Sequence, residues 1–280
     1  MENQDFTSAV DQLYPRHEQG LDLCGLYLNQ DLRNALASEE APFIYANFIT
    51  SLDGRIAVPQ NGAGEVGVPR QTANRRDWRL FQELAVQADL VISSGRYLRD
   101  YAAGEAQELL QVYDDPAFAD LKDWRASHGL DAYPALAVVS SSLDFPLPKS
   151  LLESGRSMVV ITTEESDAAR KQELEALSIK VLECGVRDVE GGRMAAALHA
   201  LGYDMVYSAA GPRIAHMLVA DGVLNRLYLT FALRLLGGTN FATIIAGSGF
   251  DPAYDLRLHA LFYDRHAPGP TGQLFAVFDC

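Results

Sequence analysis

Three polar residues near the end of one apolar stretch, Asn47, Ser51 and Asp53, are the first candidates for chemistry in this sequence. They lie in APFIYANFITSLDGRIA, residues 41–57, whose apolar run predicts a strand buried on both faces. Asn is disfavoured in strands unless its amide finds partners, and Asp-Gly is typical of a turn. Because open α/β sheets bind ligands at the carboxyl ends of their strands, we expect these side chains to face a substrate. A satisfied buried amide beside a plain turn is the alternative.

Four arginines stand close together at the start of the next predicted helix. They are Arg70, Arg75, Arg76 and Arg79. The macrodipole disfavours cations in the first turn of a helix, and Arg75 and Arg79, four residues apart, repel each other. An anion bound at the helix N-terminus would relieve both effects, which favours a phosphate site at Arg75 or Arg76. Ordinary surface pairing with Asp77 and Glu83 is the alternative.

Small residues follow several of the later predicted strands. The turns are Ser94-Gly95, Thr162-Thr163, Ser208 to Pro212, and Gly237-Gly238. Such turns let the phosphates and ribose of a nucleotide approach the backbone, and Gly211 precedes a predicted helix N-terminus. Each turn alone is common in α/β proteins. Their recurrence at successive strand ends favours a dinucleotide.

Strands and helices alternate through most of the chain. Strands are expected near residues 43–49, 90–94, 136–140, 158–161, 179–182, 205–207 and 226–233, and helices near residues 72–88, 166–177, 192–201 and after 211. Residues 58–69 read as a Gly- and Pro-rich loop, and residues 96–130 as a largely helical excursion. The alternation predicts an α/β fold with a mainly parallel sheet. Residues 256–262 and 274–278 have no helix between them and should pair antiparallel at one edge.

The composition restricts the classes of partner and location. A net charge of -14 argues against nucleic acid or an anionic membrane as a partner. No segment approaches the roughly 20 apolar residues of a membrane helix. Six histidines without metal-ligand spacing and three scattered cysteines predict no metal site and a reducing, cytoplasmic location. Residues 1–40 read as a short helix or arm on the main body, serving as a linker or dimer contact.

Three ordered pieces of the sequence resemble the reductase domain of riboflavin biosynthesis. They are ANFITSLDGRIA, ADLVISSGRYLRD and SAAGPRIAHMLVADGVLNRLYLTFALRLLGG. The likeness extends over about residues 41–278. It implies a dihydrofolate-reductase-like α/β fold for residues 41–280, with a mixed, mostly parallel central sheet flanked by helices and antiparallel C-terminal edge strands. Residues 1–40 would be an arm outside that reductase domain.

The resemblance also implies an activity. Such enzymes use NADPH to reduce the ribosyl group of 5-amino-6-(5-phosphoribosylamino)uracil, or of its diaminopyrimidine analogue, to ribityl. The cofactor would supply the hydride while the protein orients both ligands. The partner would be a small phosphorylated pyrimidine, and the enzyme a homodimer.

The resemblance and the residue patterns described above together give roles to the residues singled out. Asn47 and Asp53 would form hydrogen bonds with the sugar and base as catalytic positions, Ser51 would bind substrate, and Arg75 or Arg76 would hold the 5′-phosphate. The positions implied to bind NADPH are Gly95, Arg96, Thr162, Thr163, Ala210, Gly211, Pro212 and Gly238.

Departures from the family pattern leave two alternatives open. The family often has Glu-Gly-Gly-Pro where this chain has Ala209-Ala210-Gly211-Pro212, and a small residue and Thr at Arg96-Tyr97. One alternative is therefore a non-catalytic nucleotide-binding relative. The other alternative is a pteridine or dihydrofolate reductase, which we would expect to carry an acidic residue on its early helix, where this helix begins with arginines. No HxE followed by PCxxC occurs, so deamination would fall to another protein.

Overall fold

The computed structural model describes residues 6–33, 40–59 and 66–280. The predicted arm (residues 1–40) and the predicted loop (residues 58–69) therefore lie partly outside the described residues. The strands are β1 (Val10–Tyr14), β2 (Glu18–Leu21), β3 (Phe43–Ser51), β4 (Val58–Pro59), β5 (Val66–Gly67), β6 (Leu90–Ser94), β7 (Ala135–Val139), β8 (Met158–Thr162), β9 (Lys180–Glu183), β10 (Met205–Ser208), β11 (Arg226–Ala232), β12 (Arg257–Asp264) and β13 (Gln273–Asp279). The helices are α1 (Arg75–Gln87), α2 (Gly95–Ala102), α3 (Ala119–Ser127), α4 (Lys149–Glu153), α5 (Ala168–Ala176), α6 (Gly191–Ala200) and α7 (Pro212–Ala220).

Eleven strands form one sheet in the order β2-β1-β12-β13-β11-β3-β10-β6-β7-β8-β9, while β4 and β5 pair separately. The seven strands from β11 to β9 run parallel to their neighbours. The strands from β2 to β11 pair antiparallel. The predicted α/β fold, with a mostly parallel sheet and antiparallel C-terminal strands, is confirmed.

The described part of the predicted N-terminal arm does not begin with a helix, which was one of the two expectations. Instead, β1 and β2 form a hairpin that extends the sheet beyond β12. As a result β2, and not a C-terminal strand, lies at that edge of the sheet. The long excursion after β6 is also less helical than predicted, since α2 and α3 are separated by turns and a short 3-10 helix at Pro116–Phe118.

Alternate residues of the central strands pack on opposite faces of the sheet, as the two-residue period of a strand requires. Tyr45 and Tyr207 belong to one core, which includes α1 through Leu80 and Leu84. Residues 44, 46 and 206 belong to the other core, together with side chains of α6 and α7. Both faces are covered, which explains why these strands are almost continuously apolar in sequence.

Two arginines of α1, Arg76 and Arg79, are buried and pair with carboxylates. Arg79 Nε lies 2.9 Å from Glu83 Oε1, and its Nη1 lies 2.8 Å from Asp120 Oδ1. Arg76 Nε lies 2.8 Å from Asp264 Oδ2, and both side chains are almost completely buried. Buried carboxylates therefore balance both charges. Glu83, expected as an alternative partner, does pair with Arg79, but in the interior and not at the surface.

Replacing Arg76 by Ala leaves the Asp264 carboxylate buried without this cation. Removing one member of a buried pair costs about 3–5 kcal/mol, so we expect a loss of that order in the free energy of unfolding, measured by urea denaturation. Arg187→Ala removes an exposed pair with Glu165 and should cost less than about 1 kcal/mol. Equal losses in the two variants would contradict this role for the buried pair.

Candidate active site

A large cavity opens where β10, β6 and β7 reach their carboxyl ends side by side, next to the middle of β3 at Asn47. Its volume is about 1980 Å³. Single small-molecule sites are typically about 300–1,000 Å³, so this cavity has room for two ligands. It lies where an open parallel sheet normally binds its ligands.

Asn47 of β3 lines the cavity, and the hydroxyl of Tyr207 on β10 donates a hydrogen bond to its Oδ1. Tyr207 is fully buried and stacks on Tyr45 with ring centroids 5.2 Å apart. Burial raises the pKa of Tyr207 well above its usual value, so the hydroxyl keeps the proton that it donates. With its oxygen engaged, the amide of Asn47 offers its NH₂ group as a donor.

Asp53 and Ser51, predicted to contact substrate, are not among the residues that line the cavity. Ser51 Oγ donates to Asp53 Oδ1 at 2.5 Å, and Asp53 Oδ2 accepts from the backbone N–H of Gly237 at 2.8 Å. The Ser51 hydroxyl, the Gly237 N–H and the neighbouring Arg55 hold the pKa of Asp53 well below its usual value. Gly238, predicted to bind cofactor, does not line the cavity either, and its carbonyl accepts from Arg55 Nη2 at 2.9 Å.

These contacts build one wall of the cavity. The guanidinium of Arg55 lies 4.3 Å from the ring centroid of Phe241, which faces the cavity. The backbone of Ile56 donates to Ala242 at 2.9 Å, and Ala242 donates to Ala57 at the same distance. The polar turn after β3 therefore positions cavity-lining residues and does not reach the cavity through its own carboxylate.

Of the two arginines predicted to hold a phosphate, the structure brings Arg75 to the cavity but not Arg76. Arg75 Nη1 lies 2.7 Å from Asp115 Oδ2, and its side chain is 42% exposed. The Arg76 guanidinium is buried and lies against Asp264 and the carbonyl of Ser8. The difference follows from helix geometry, because consecutive residues point about 100° apart around a helix.

Asp77 is the most unusual polar group in the cavity, and the sequence analysis treated it as a surface residue. It is 8% exposed, and the side chain of Thr230 on β11 is hydrogen-bonded to it. Burial raises the pKa of Asp77 to about 6, an effect that the hydroxyl of Thr230 partly offsets. Trp78 and Phe81 line the cavity beside it, with stacked rings 4.4 Å apart. A titratable carboxyl thus adjoins an aromatic wall.

Most of the predicted cofactor positions lie at two helix N-termini that face the cavity. Gly95 and Arg96 begin α2, while Ala210, Gly211 and Pro212 lead into α7, and all five line the cavity. A Cβ added at position 211 would meet nothing within 4 Å, so the backbone there is open to a ligand. Such termini offer free N–H groups to anions.

Thr162 and Thr163, also predicted to bind cofactor, are buried and do not line the cavity. Their hydroxyls lie 2.6 and 2.7 Å from Ser166 Oγ. Ser166 donates in turn to the carbonyl of Ser141 at 2.7 Å, and Thr162 donates to the carbonyl of Ser140 at 2.8 Å. The two threonines therefore support the segment Ser140–Ser142, which does line the cavity.

The charges at the cavity contrast with the acidity of the protein. Four arginines line it, namely Arg75, Arg96, Arg99 and Arg213, against two acids, Asp77 and Asp188. A local excess of cations in a chain of net charge -14 favours an anionic ligand at this place. In the described part of the chain, no three His, Cys, Asp or Glu side chains group as metal ligands would. No helix there is both long and apolar enough to span a membrane.

Some of the missed residues carried a signal in the sequence. Asp77 stands four residues before Phe81 and seven before Leu84, on the apolar face of the predicted helix. The run Ser140–Ser142 follows a predicted strand, as small-residue turns at ligand sites often do. Tyr207 carried none, since a Tyr in a buried strand reads as core.

A family model described as the RibD C-terminal domain matches residues 42–263. The chain belongs to this family. It is 28% identical over 145 residues to the riboflavin biosynthesis protein RibD of Bacillus amyloliquefaciens, covering 51% of this chain and 39% of that protein. It is also 22% identical over 218 residues to the 2,5-diamino-6-ribosylamino-4(3H)-pyrimidinone 5′-phosphate reductase of Methanothermobacter thermautotrophicus, covering 76% and 88%. The chain thus aligns with only about two fifths of the length of the Bacillus protein.

Solved structures show that this member of the RibD C-terminal domain family shares its fold with other proteins. A pyrimidine reductase-like protein of Corynebacterium diphtheriae matches with a TM-score of 0.63 and 20% identity, covering 85% of this chain and 91% of that one. The riboflavin biosynthesis reductase of Saccharomyces cerevisiae matches with a TM-score of 0.55 and 12% identity, covering 90% and 98%. The resemblance to the riboflavin-pathway reductase domain is confirmed at the level of family.

The raised pKa of Asp77 makes the stability of the protein depend on pH. Because the folded-state pKa of about 6 exceeds the usual 3.8, the native state binds the proton more tightly. Stability from this carboxyl is present below about pH 4 and is lost as the pH rises through 6. As the pH is raised from 4 to 8, we expect the free energy of unfolding of Asp77→Asn to increase by about 2–3 kcal/mol relative to that of the wild type. Urea denaturation at each pH measures this difference. The exposed Asp123→Asn is the control, and a pH-independent difference for position 77 would contradict the assignment.

Proposed function

We propose that this chain is an NADPH-dependent reductase of riboflavin biosynthesis, which converts the ribosyl side chain of a phosphorylated pyrimidine to ribityl. The observation that carries the proposal is the arginine-lined cavity at the carboxyl ends of three parallel strands and beside β3, in a chain of the RibD C-terminal domain family. The names of the two curated relatives support it, since both belong to the riboflavin pathway or to pyrimidine reduction. The homodimer and the cytoplasmic location implied by the resemblance remain predictions.

The residues around α2 and α7 fit a dinucleotide that carries several phosphates. Backbone N–H groups at Gly95 and Gly211 are suited to a pyrophosphate. Arg96 and Arg99, with the hydroxyls of Ser140–Ser142, are suited to a further phosphate such as the one that distinguishes NADPH from NADH. When bound, this cofactor supplies the hydride.

The residues around α1 and β3 fit the pyrimidine. The ionised carboxyl of Asp77 offers two acceptor oxygens to neighbouring N–H groups of a ring, beside the aromatic wall of Trp78 and Phe81. The NH₂ group of Asn47 is a donor for a sugar hydroxyl or a ring carbonyl. Arg75 would hold the terminal phosphate. Water is displaced from the ring by the aromatic side chains, which strengthens these polar contacts.

Asp77 also discriminates between the two forms of the substrate. A 2-amino-4-pyrimidinone presents two adjacent N–H donors to a carboxylate, whereas a uracil presents a carbonyl oxygen at the corresponding place. An unpaired carboxylate facing that oxygen would cost about 1–3 kcal/mol. We therefore propose the 2,5-diamino form as the substrate, in preference to the uracil form.

The same carboxylate favours a second candidate function, the reduction of a pteridine. A pteridine shares the 2-amino edge that Asp77 would recognise, whereas the arginines at the start of α1 argue against this alternative. The structure shows that α1 does present an acidic residue to the cavity. The two candidates differ in their need for a phosphate on the substrate, which Arg75 would recognise.

Cofactor binding is tested at Gly211, the residue before α7. Asp and Ser both cap helices well, so Gly211→Asp and Gly211→Ser should keep the fold. The Asp variant adds a negative charge where a phosphate would bind, and we expect its Kd for NADPH to rise at least tenfold, while the Ser variant changes little. Nicotinamide fluorescence during titration with NADPH and NADH measures this. Equal affinity of both variants, or no binding of either nucleotide to the wild type, would refute the cofactor site.

Substrate recognition is tested by turnover at position 77. We expect Asp77→Asn to lower kcat/KM for the 2,5-diamino substrate about 10–100-fold, since it removes hydrogen bonds to a charged group. For the wild type, kcat/KM should rise as the pH passes through about 6, where the carboxyl ionises. Asp123→Asn should behave as the wild type in both respects. NADPH binding without oxidation on any pyrimidine would instead indicate a non-catalytic relative.

A further inference from the structure

Residues 6–8 precede the region that matches the family model, yet they reach the cavity of their own chain. Phe6 and Thr7 line it. The backbone that follows them is held in place, because the carbonyl of Ser8 accepts from Arg76 Nη2 at 2.8 Å and β1 pairs with β12. This region, expected from the sequence to be a linker or dimer contact, therefore also has a place in the site.

Phe6 contacts the arginine that faces the cavity. Its ring stacks on Phe118 with centroids 5.9 Å apart. The Arg75 guanidinium carbon lies 5.6 Å from the centroid of Phe6 and 5.4 Å from that of Phe118. Both distances are within the range of cation–π attraction. Asp115 Oδ2, 2.7 Å from Arg75 Nη1, is a third partner, so the guanidinium contacts two rings and a carboxylate.

We propose that the N-terminal arm completes the phosphate subsite of the substrate, with Phe6 holding Arg75 in place. This inference rests on the proposed function for the identity of the ligand, a phosphorylated sugar joined to a ring. Of the arginines at the start of α1, Arg76 and Arg79 are buried against carboxylates, whereas Arg75 lines the cavity. Its guanidinium has five N–H donors in a planar fork, a geometry that suits phosphate oxygens.

The contacts of Arg75 with Phe6, Phe118 and Asp115 affect phosphate affinity, because a long side chain loses rotamer freedom when it binds an anion. An arginine already fixed by two rings and a carboxylate loses less of that freedom at the moment of binding. Phe6 is therefore a positioning residue that acts through Arg75, and the arm makes the site selective for substrates that carry the phosphate. A mere spacer would have no such effect on affinity.

The test uses ribose 5-phosphate as the probe and the full chain as the protein. Its Kd is measured by calorimetric titration for the wild type, Phe6→Ala, Phe6→Leu, Arg75→Ala and Tyr14→Ala. We expect Phe6→Ala and Phe6→Leu to bind about fivefold more weakly than the wild type, and Arg75→Ala to bind more weakly still. Phe6→Leu keeps an apolar side chain without the aromatic face. Tyr14→Ala changes an exposed ring on the same arm and should match the wild type.

Two readouts separate this effect from damage to the fold and from the proposed function. The Kd for NADPH should be the same in all five proteins. Loss of NADPH binding in the Phe6 variants would show that Phe6 has a purely structural role, which would overturn the proposal. Wild-type affinity for ribose 5-phosphate in Phe6→Ala, or no saturable binding to the wild type, would also overturn it. Failure of the proposed function has a different signature: ribose 5-phosphate binding keeps its dependence on Phe6, while no pyrimidine is reduced.

Discussion

The parallel pairing of β10 with β3 and β6 is the constraint on which the site depends. Ser208, the last residue of β10, pairs with Ala46 on one side and with Ile92 on the other. Segments about 45 and 115 residues apart in the chain therefore reach the same edge of the sheet at the same level. Asn47 and Ala209 follow directly, and both line the cavity. Helices α2 and α7 begin there too, so the register that joins the strands also brings their N-termini to the cavity.

Three charged residues close together on α1, Arg76, Asp77 and Arg79, differ in the partners that surround them. Arg76 and Arg79 are inside the protein against carboxylates, where their charges are balanced. Asp77 lies between them in sequence, but it is hydrogen-bonded to Thr230 and lines the cavity, where burial keeps its pKa near 6. One turn of helix thus supplies internal ion pairs, which stabilise the fold, and a carboxyl available to a ligand. The arginines that do line the cavity give it a charge opposite to that of the whole protein.

Periodicity in the sequence was sufficient to predict the fold, but it did not predict the roles of individual polar residues. The βα alternation predicted the parallel sheet, and the Gly-Pro pair predicted the start of α7, because both signals are local. The role of Asp53 was harder to foresee, since its partners at Leu236 and Gly237 are more than 180 residues away. The distinction between Arg75 and Arg76 depends on β12, which supplies Asp264. Such contacts depend on tertiary packing between distant segments, and no local pattern in a single sequence predicts them.

The proposed reaction transfers a hydride to the sugar carbon that is attached to the pyrimidine. The most direct measurement uses NADPH deuterated at the transferred position of the nicotinamide, with the 2,5-diamino substrate, and locates the label in the product by NMR. The account predicts one deuterium at C1′ of the new ribityl chain. Label in a heterocyclic ring, or oxidation of NADPH only with a pteridine, would contradict it.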